Sequence, residues 1–113
     1  MTHTQKIDEA WELYTTSSGW ITCYDIFTKA WKYRGWKIYD ADKKYIILSG
    51  NCEITTLEWW EDLMRKIWTE DGIFEIASNI PHLFYFPEDT RLIEWFSEET
   101  KSENYERYRA MKK

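Results

Sequence analysis

The chain has no valine and only four glycines, two prolines, two cysteines and two histidines in 113 residues. Because valine is missing, isoleucine, leucine and the aromatic rings must form the core. No apolar run approaches the ~18–20 residues of a membrane-spanning helix. The first six residues also lack the apolar segment of a signal peptide. These absences predict a cytoplasmic protein that does not enter a membrane.

The scarcity of cysteine, histidine and glycine also limits the chemistry. Cys23 and Cys52 do not have metal-ligand spacing, and adding His3 and His82 does not supply a recognisable set of three or four ligands. Each glycine is explained by a turn or a helix end, which leaves no phosphate-binding loop. The paired carboxylates lie where solvation is expected, and no local motif supports catalysis by His82. We therefore expect no cofactor, no metal and no enzymatic activity.

Aromatic residues are abundant, with 8 Trp, 8 Tyr and 5 Phe making up 19% of the chain. This composition excludes disorder and predicts one compact domain over 1–113. The net charge of -5 is unevenly spread. Residues 55–106 carry 13 acidic and 4 basic side chains, whereas residues 29–44 carry six basic and two acidic ones. Such a distribution is expected to steer charged partners.

The patterning predicts an α+β fold with four to five helices and one or two short antiparallel β-hairpins. Helical spacing of apolar residues occurs in 5–16, 22–34, 56–69 and the segment after Pro87, and a tail helix is expected within 102–113. The clearest helix is 56–69, where Thr55 and Glu58 resemble a capping box. Two hairpins are expected, 36–39 with 45–48 and 73–77 with 82–86, and a short helix over 73–78 is the alternative for the second.

The rings outnumber what a core of this size can bury beside 12 Ile and 6 Leu, so some must reach the surface. On a helical wheel the buried stripe of 56–69 is formed by Leu57, Trp60, Met64 and Ile67, and Trp59 lies about 120° away from it. Trp59 is therefore expected to be exposed unless another layer of the protein covers it. Exposed rings are typical anchors of protein interfaces. The predicted protein-interaction residues are Trp59, Asp62, Tyr33, Tyr105 and Tyr108.

These features favour a stoichiometric inhibitor, of the toxin-immunity type or the phage and mobile-element anti-defence type. Its partner would be another protein with a basic surface, and a homodimer is left open. The first alternative is nucleic-acid binding by segment 29–45, where cations alternate with rings. Its basic residues are Lys29, Lys32, Arg34, Lys37, Lys43 and Lys44. The second alternative is DNA mimicry by the acidic stretch 55–106.

Overall fold

The computed structural model describes residues 2–7, 11–18, 21–96 and 102–111, and most of them are in β-strands. The strands are β1 (Thr2–Ile7), β2 (Trp11–Ser18), β3 (Ile21–Thr28), β4 (Lys32–Tyr39), β5 (Lys43–Ser49), β6 (Asn51–Glu58), β7 (Glu61–Trp68), β8 (Ile73–Ile76), β9 (His82–Phe86), β10 (Thr90–Phe96) and β11 (Ser102–Asn104). The helical elements in the described part of the chain are a 3-10 turn at Thr69–Asp71 and the helix α1 (Glu106–Met111).

The α+β prediction is therefore wrong, because the fold is nearly all β. The described parts of 5–16 and 22–34 lie mainly in strands β1 to β4, and 56–69 is almost entirely the β6–β7 hairpin. The segment after Pro87 leads into β10, and the alternative helix over 73–78 is excluded by β8. Of the tail helix expected within 102–113, Glu106–Met111 is helical, whereas Ser102–Asn104 forms β11.

The strands form two antiparallel sheets that pack face to face. The strand order is β1-β2-β3-β10-β5-β8 in the first sheet and β11-β4-β9-β6-β7 in the second. Four neighbouring strands of each sheet, β3-β10-β5-β8 and β4-β9-β6-β7, form the two halves of a jelly-roll sandwich.

This topology corrects the predicted hairpins. Both segments of each pair contain a strand, but the partners lie in different sheets. Strand β4 pairs with β9 and β11, whereas β5 pairs with β10 and β8. Strand β8 likewise pairs with β5 and not with β9. The alternation of apolar and polar residues located these strands, but it did not identify their partners.

The core lies between the sheets, where alternate residues of the strands point inward. It includes Ile26, Ile47 and Leu92 from the first sheet and Ile54 and Phe84 from the second, all nearly inaccessible to solvent. Cys52 is also in this core, and burial raises the pKa of its thiol to about 12. Cys23 is half-buried, and both cysteines are free.

Candidate functional site

The β6–β7 hairpin has an unusual turn. The two strands pair in register from Asn51 opposite Trp68 to Glu58 opposite Glu61, which leaves Trp59 and Trp60 as a two-residue loop. Both have positive φ angles, 53° and 69°. This is the backbone of a type I′ turn, whose twist matches that of the strands and whose usual residues are Asn and Gly. For a residue with a Cβ atom the left-handed conformation costs roughly 1–2 kcal/mol.

The two rings at this turn are almost completely exposed, 91% for Trp59 and 95% for Trp60. Met64 and Leu63 on β7 are also exposed and extend the apolar surface along the strand. Burial of a tryptophan side chain would remove about 150–250 Å² from water. Backbone preference and the hydrophobic effect therefore both oppose this arrangement. Strain of this kind concentrates at functional sites, which makes the turn the leading candidate.

We call Glu58–Glu61 the tryptophan tip. Glu58 and Glu61 are the last opposed pair of the hairpin, and like charges in that position repel. Glu58 accepts a hydrogen bond of 2.7 Å from the Thr56 hydroxyl. Glu61 has no hydrogen-bond or ion-pair partner among the residues that the structure describes. The tip is consequently an aromatic surface with an anionic rim.

Asp62, next to the tip, connects it to the C-terminal helix. Its carboxylate accepts a hydrogen bond of 2.6 Å from the Tyr108 hydroxyl and forms an ion pair with Arg107. Burial and this hydrogen bond raise the pKa of Tyr108 well above its usual value. Asp62 therefore fixes α1 against β7, and its charge is largely balanced there.

The predicted protein-interaction residues separate into two groups. Trp59 is exposed at the tip, and Asp62 lies three positions further along the chain, on β7. Tyr108 is fully buried, so the expectation that it is an uncovered ring is wrong. Tyr105 packs edge-on against it, with ring centroids 4.8 Å apart. Tyr33 lies on β4, which is separated from β7 by the strands β9 and β6. Its ring packs against that of Tyr85, with the centroids 4.7 Å apart.

Sequence reasoning missed Trp60, which it placed in the core stripe of a helix. In a helix Trp60 shares a face with Leu57 and Met64, but in a two-residue turn it points to solvent. The only signal for this arrangement was the run of β-branched residues in 54–56, which favours a strand before the two tryptophans.

The structure does not bring the predicted nucleic-acid-binding residues together on one surface. Lys43 is buried, and Arg34 is paired in register with the core residue Phe84. Lys37 donates a hydrogen bond of 2.7 Å to the Asn104 side chain. Lys32 is exposed on β4, whereas Lys44 lies on β5 in the other sheet. Lys29 is exposed in the loop between β3 and β4.

Lys43 is the centre of a polar cluster inside the sandwich. Its ammonium lies 2.8 Å from Glu94, and both side chains are nearly inaccessible. It also donates a hydrogen bond of 3.2 Å to the Tyr39 hydroxyl. Four rings surround the nitrogen at centroid distances of 4.4 to 5.7 Å, which is within cation–π range. They belong to Tyr39, Phe96, Tyr45 and Tyr24.

The charges of this cluster also set the protonation of its neighbours. Burial raises the pKa of Glu94, but the cations Lys43 and Arg34 outweigh it and hold the pKa below its usual value. Burial and the positive charge of Lys43 lower the pKa of His82 to about 4. His82 is therefore neutral at pH 7, stacked on Tyr39 at 5.4 Å. Its Nδ1 lies 3.3 Å from the Ile80 carbonyl oxygen. Because Lys43, Glu94 and His82 are all nearly inaccessible to solvent, we interpret this cluster as a structural feature of the interior.

One open groove adjoins the tryptophan tip. Its volume is about 410 Å³, and its lining includes Glu58, Leu63 and Met64 from the β6–β7 hairpin as well as Ile76 and Ala77. Within the described ranges, no group of three or more His, Cys, Asp or Glu side chains is placed to hold a metal ion. The described helices are all too short to span a membrane.

Two sheets of this topology define a cupin-like β-sandwich. Bacillus subtilis oxalate decarboxylase, as a deletion mutant, superposes with a TM-score of 0.75 over 90% of this chain, at 10% identity. CapF with the inhibitor 3-isopropenyl-tropolone superposes with a TM-score of 0.74 over 88%, at 13% identity. The chain spans about a third of the length of these structures, covering 30% and 34% of them.

No protein-family model matches the chain, and no curated protein matches it in sequence. The solved structures therefore establish the fold alone, and the activities in their names are not carried over to this chain.

Proposed function

We propose that this chain is a cytoplasmic protein-binding domain that inserts the tryptophan tip into a pocket of a partner protein with a basic surface. It acts as a stoichiometric inhibitor of that partner and has no catalytic role. The observation that carries the proposal is the exposure of two adjacent tryptophans, 91% and 95%, at backbone positions that disfavour them.

Aromatic anchors of this kind supply most of the binding energy at protein interfaces. A two-residue turn between paired strands is rigid, so little conformational entropy is lost when the rings enter a pocket. The adjoining groove, with Leu63 and Met64 on its wall, offers further apolar contact at the same end of the hairpin. Together these features favour an interface centred on the tip.

The charge at the tip favours a protein partner over the alternatives. Glu58 and Glu61 flank the rings, and carboxylates repel both nucleic-acid phosphates and anionic lipid head groups. A partner with Lys or Arg around an apolar pocket would neutralise both carboxylates as the rings enter. Electrostatic complementarity of this type mainly increases the association rate and the specificity.

The test compares the wild-type chain with the double variant Trp59→Ala, Trp60→Ala and with the control Trp31→Ala. Trp31 is also exposed, at 74%, and also has a positive φ angle, but it lies in the β3–β4 loop. We expect wild type and the control to capture the same protein from a lysate of the source cells, and the tip variant not to capture it. The captured protein, purified, should bind at one to one in calorimetry and lose its activity in the complex.

Three results would overturn the proposal. The tip variant could bind the purified partner as tightly as wild type does. Wild type could bind anionic vesicles with the tryptophans inserted and no protein. It could also bind oligonucleotides with steep salt dependence. Circular dichroism and thermal unfolding of all three proteins check that each substitution leaves the fold intact.

A further inference from the structure

Strand β7 is a long open edge. It ends the second sheet and pairs only with β6 among the described strands. The edge strands β8 and β11 have four and three residues, respectively, whereas β7 has eight. Seven of its eight residues are exposed, including Leu63 and Met64. Natural proteins usually keep such edges short, covered or guarded by charge, because an open edge pairs with other strands.

The charges of β7 are ordered along the strand. Glu61 and Asp62 begin it, and Arg65 and Lys66 follow the apolar pair Leu63–Met64. If all the charges on the edge had the same sign, they would repel a second copy of the strand. The charges of β7 instead favour pairing with a second copy, because an antiparallel copy places the acidic end of one strand beside the basic end of the other.

Symmetry and existing contacts select one register. Two identical antiparallel edges are related by a two-fold axis perpendicular to the sheet, so one residue lies opposite its own copy. Centring on Leu63 puts Glu61 opposite Arg65 of the second copy, and the reverse, with all six side chains on one face. Strand β7 carries two carboxylates. Asp62 is already paired with Arg107, whereas Glu61 has no ion-pair partner among the described residues.

Arg65 is available for this pairing. Its guanidinium donates at 3.4 Å to the backbone carbonyl of Glu75, and not to a carboxylate. A guanidinium carries five N–H donors, so it can keep this contact and still bind Glu61 of a second copy in a two-pronged geometry.

We propose that a second copy of this chain pairs with β7, antiparallel and centred on Leu63, so that the two second sheets join into one ten-stranded sheet. Two Glu61–Arg65 ion pairs flank a central Leu63–Leu63 contact. The proposal goes beyond the proposed function, since it needs no partner protein. The two tryptophan tips then point toward opposite ends of the joined sheet. In the dimer Glu61 and Leu63 are used in the pairing, so each tip offers a partner Trp59, Trp60 and Glu58.

Sedimentation equilibrium over a concentration series tests the pairing with charge reversals. Glu61→Arg and Arg65→Glu each turn both ion pairs into like-charge contacts, and we expect each to raise the dimer dissociation constant at least about tenfold. An equimolar mixture of these two variants should form heterodimers, because each then supplies the charge that the other needs. The double variant Glu61→Arg, Arg65→Glu should restore the wild-type constant.

A cross-linking variant tests the register independently. Leu63→Cys places two thiols opposite each other at the symmetry axis, within disulfide range, whereas Met64→Cys places them too far apart. We expect mild oxidation to cross-link the first and not the second. Trp59→Ala should leave the dimer intact, which separates this test from that of the proposed function. A monomeric wild type, charge reversals without effect, or equal cross-linking at both positions would each overturn the proposal.

Discussion

Lys43 places a full positive charge among inward side chains that are mostly apolar. Its neighbours Asp42 and Lys44 are polar, so the sequence reads as a solvated turn. The strand register shows otherwise, because Lys43, Tyr45 and Ile47 alternate inward along β5. A single lysine at the start of a strand does not reveal which face it occupies. The carboxylate that pairs with it, Glu94, lies 51 positions further along the chain.

Replacing Lys43 by an apolar residue should destabilise the fold strongly. Lys43→Met leaves Glu94 buried without its partner, and removal of one member of a buried ion pair costs about 3–5 kcal/mol. The double variant Lys43→Met, Glu94→Leu should recover most of this loss, since no uncompensated charge remains. Urea unfolding measures both. Equal losses in the single and double variants would show that the charge pair is not what makes Lys43 important.

His82 should make stability depend on pH in the mildly acidic range. The unfolded imidazole takes up a proton as the pH falls below 6.5, whereas the folded one resists protonation down to its pKa of about 4. The stability due to neutral His82 is therefore complete above pH 6.5 and is lost as the pH falls to about 4, by on the order of 2–3 kcal/mol. Glu94, with a lowered pKa, contributes to losses at lower pH.

The measurement is the free energy of unfolding between pH 7.5 and 4 for wild type and His82→Gln. His82→Gln should flatten the slope between pH 6.5 and 4.5. An unchanged slope in His82→Gln would refute the assignment of this titration.

At the scale of elements, segment 56–69 shows why a helix was predicted where a hairpin forms. Leu57, Trp60, Met64 and Ile67 fit a 3.6-residue period, and Glu61 and Arg65 have the spacing of a helical ion pair. The same letters fit two strands joined at Trp59–Trp60. Type I′ turns usually contain Asn and Gly, so two tryptophans gave no sequence signal for a turn at this position. The candidate site thus lies where sequence reasoning failed, as is expected of sites where function opposes local preference.

Strand β5 meets β6 at Gly50, where a side chain has no room. Its φ is +84°, and a Cβ atom there would lie 2.5 Å from both the Asp89 carbonyl oxygen and the Thr90 hydroxyl. Gly72 has a positive φ as well, but nothing lies within 4 Å of its Cβ position. Gly72→Ala should cost about 1–3 kcal/mol from backbone strain alone, because its φ of 67° with a ψ of -141° is a conformation that residues with a side chain rarely adopt. Gly50→Ala should cost more than Gly72→Ala, because the close contact adds about 1–3 kcal/mol of overpacking to the backbone strain.

Thermal and urea unfolding of the two alanine variants check this difference. Equal losses at the two glycines would mean that the segment 88–90 moves aside without cost, contrary to the close packing of this junction.

At the scale of the whole molecule, the jelly roll depends on pairings between distant segments. Strand β10 inserts between β3 and β5, and β9 inserts between β4 and β6. No local sequence pattern specifies which distant strands pair. Some of the strands could therefore be predicted from the sequence, but the order of the strands in the sheets could not. The consecutive strands β3 to β6 alternate between the sheets, so the basic run 29–44 is divided between β4 in the second sheet and β5 in the first instead of forming one charged face.

The central claim is that Trp59 and Trp60 are retained for partner binding at the expense of stability. Replacing them by the residues that a type I′ turn favours, Trp59→Asn with Trp60→Gly, separates the two effects. Calorimetric titration of the purified partner should show affinity reduced at least about 100-fold, because each buried tryptophan anchor contributes roughly 2 kcal/mol or more. The free energy of unfolding should meanwhile rise by about 1–3 kcal/mol as the turn strain is relieved. Undiminished affinity in this variant would contradict the account.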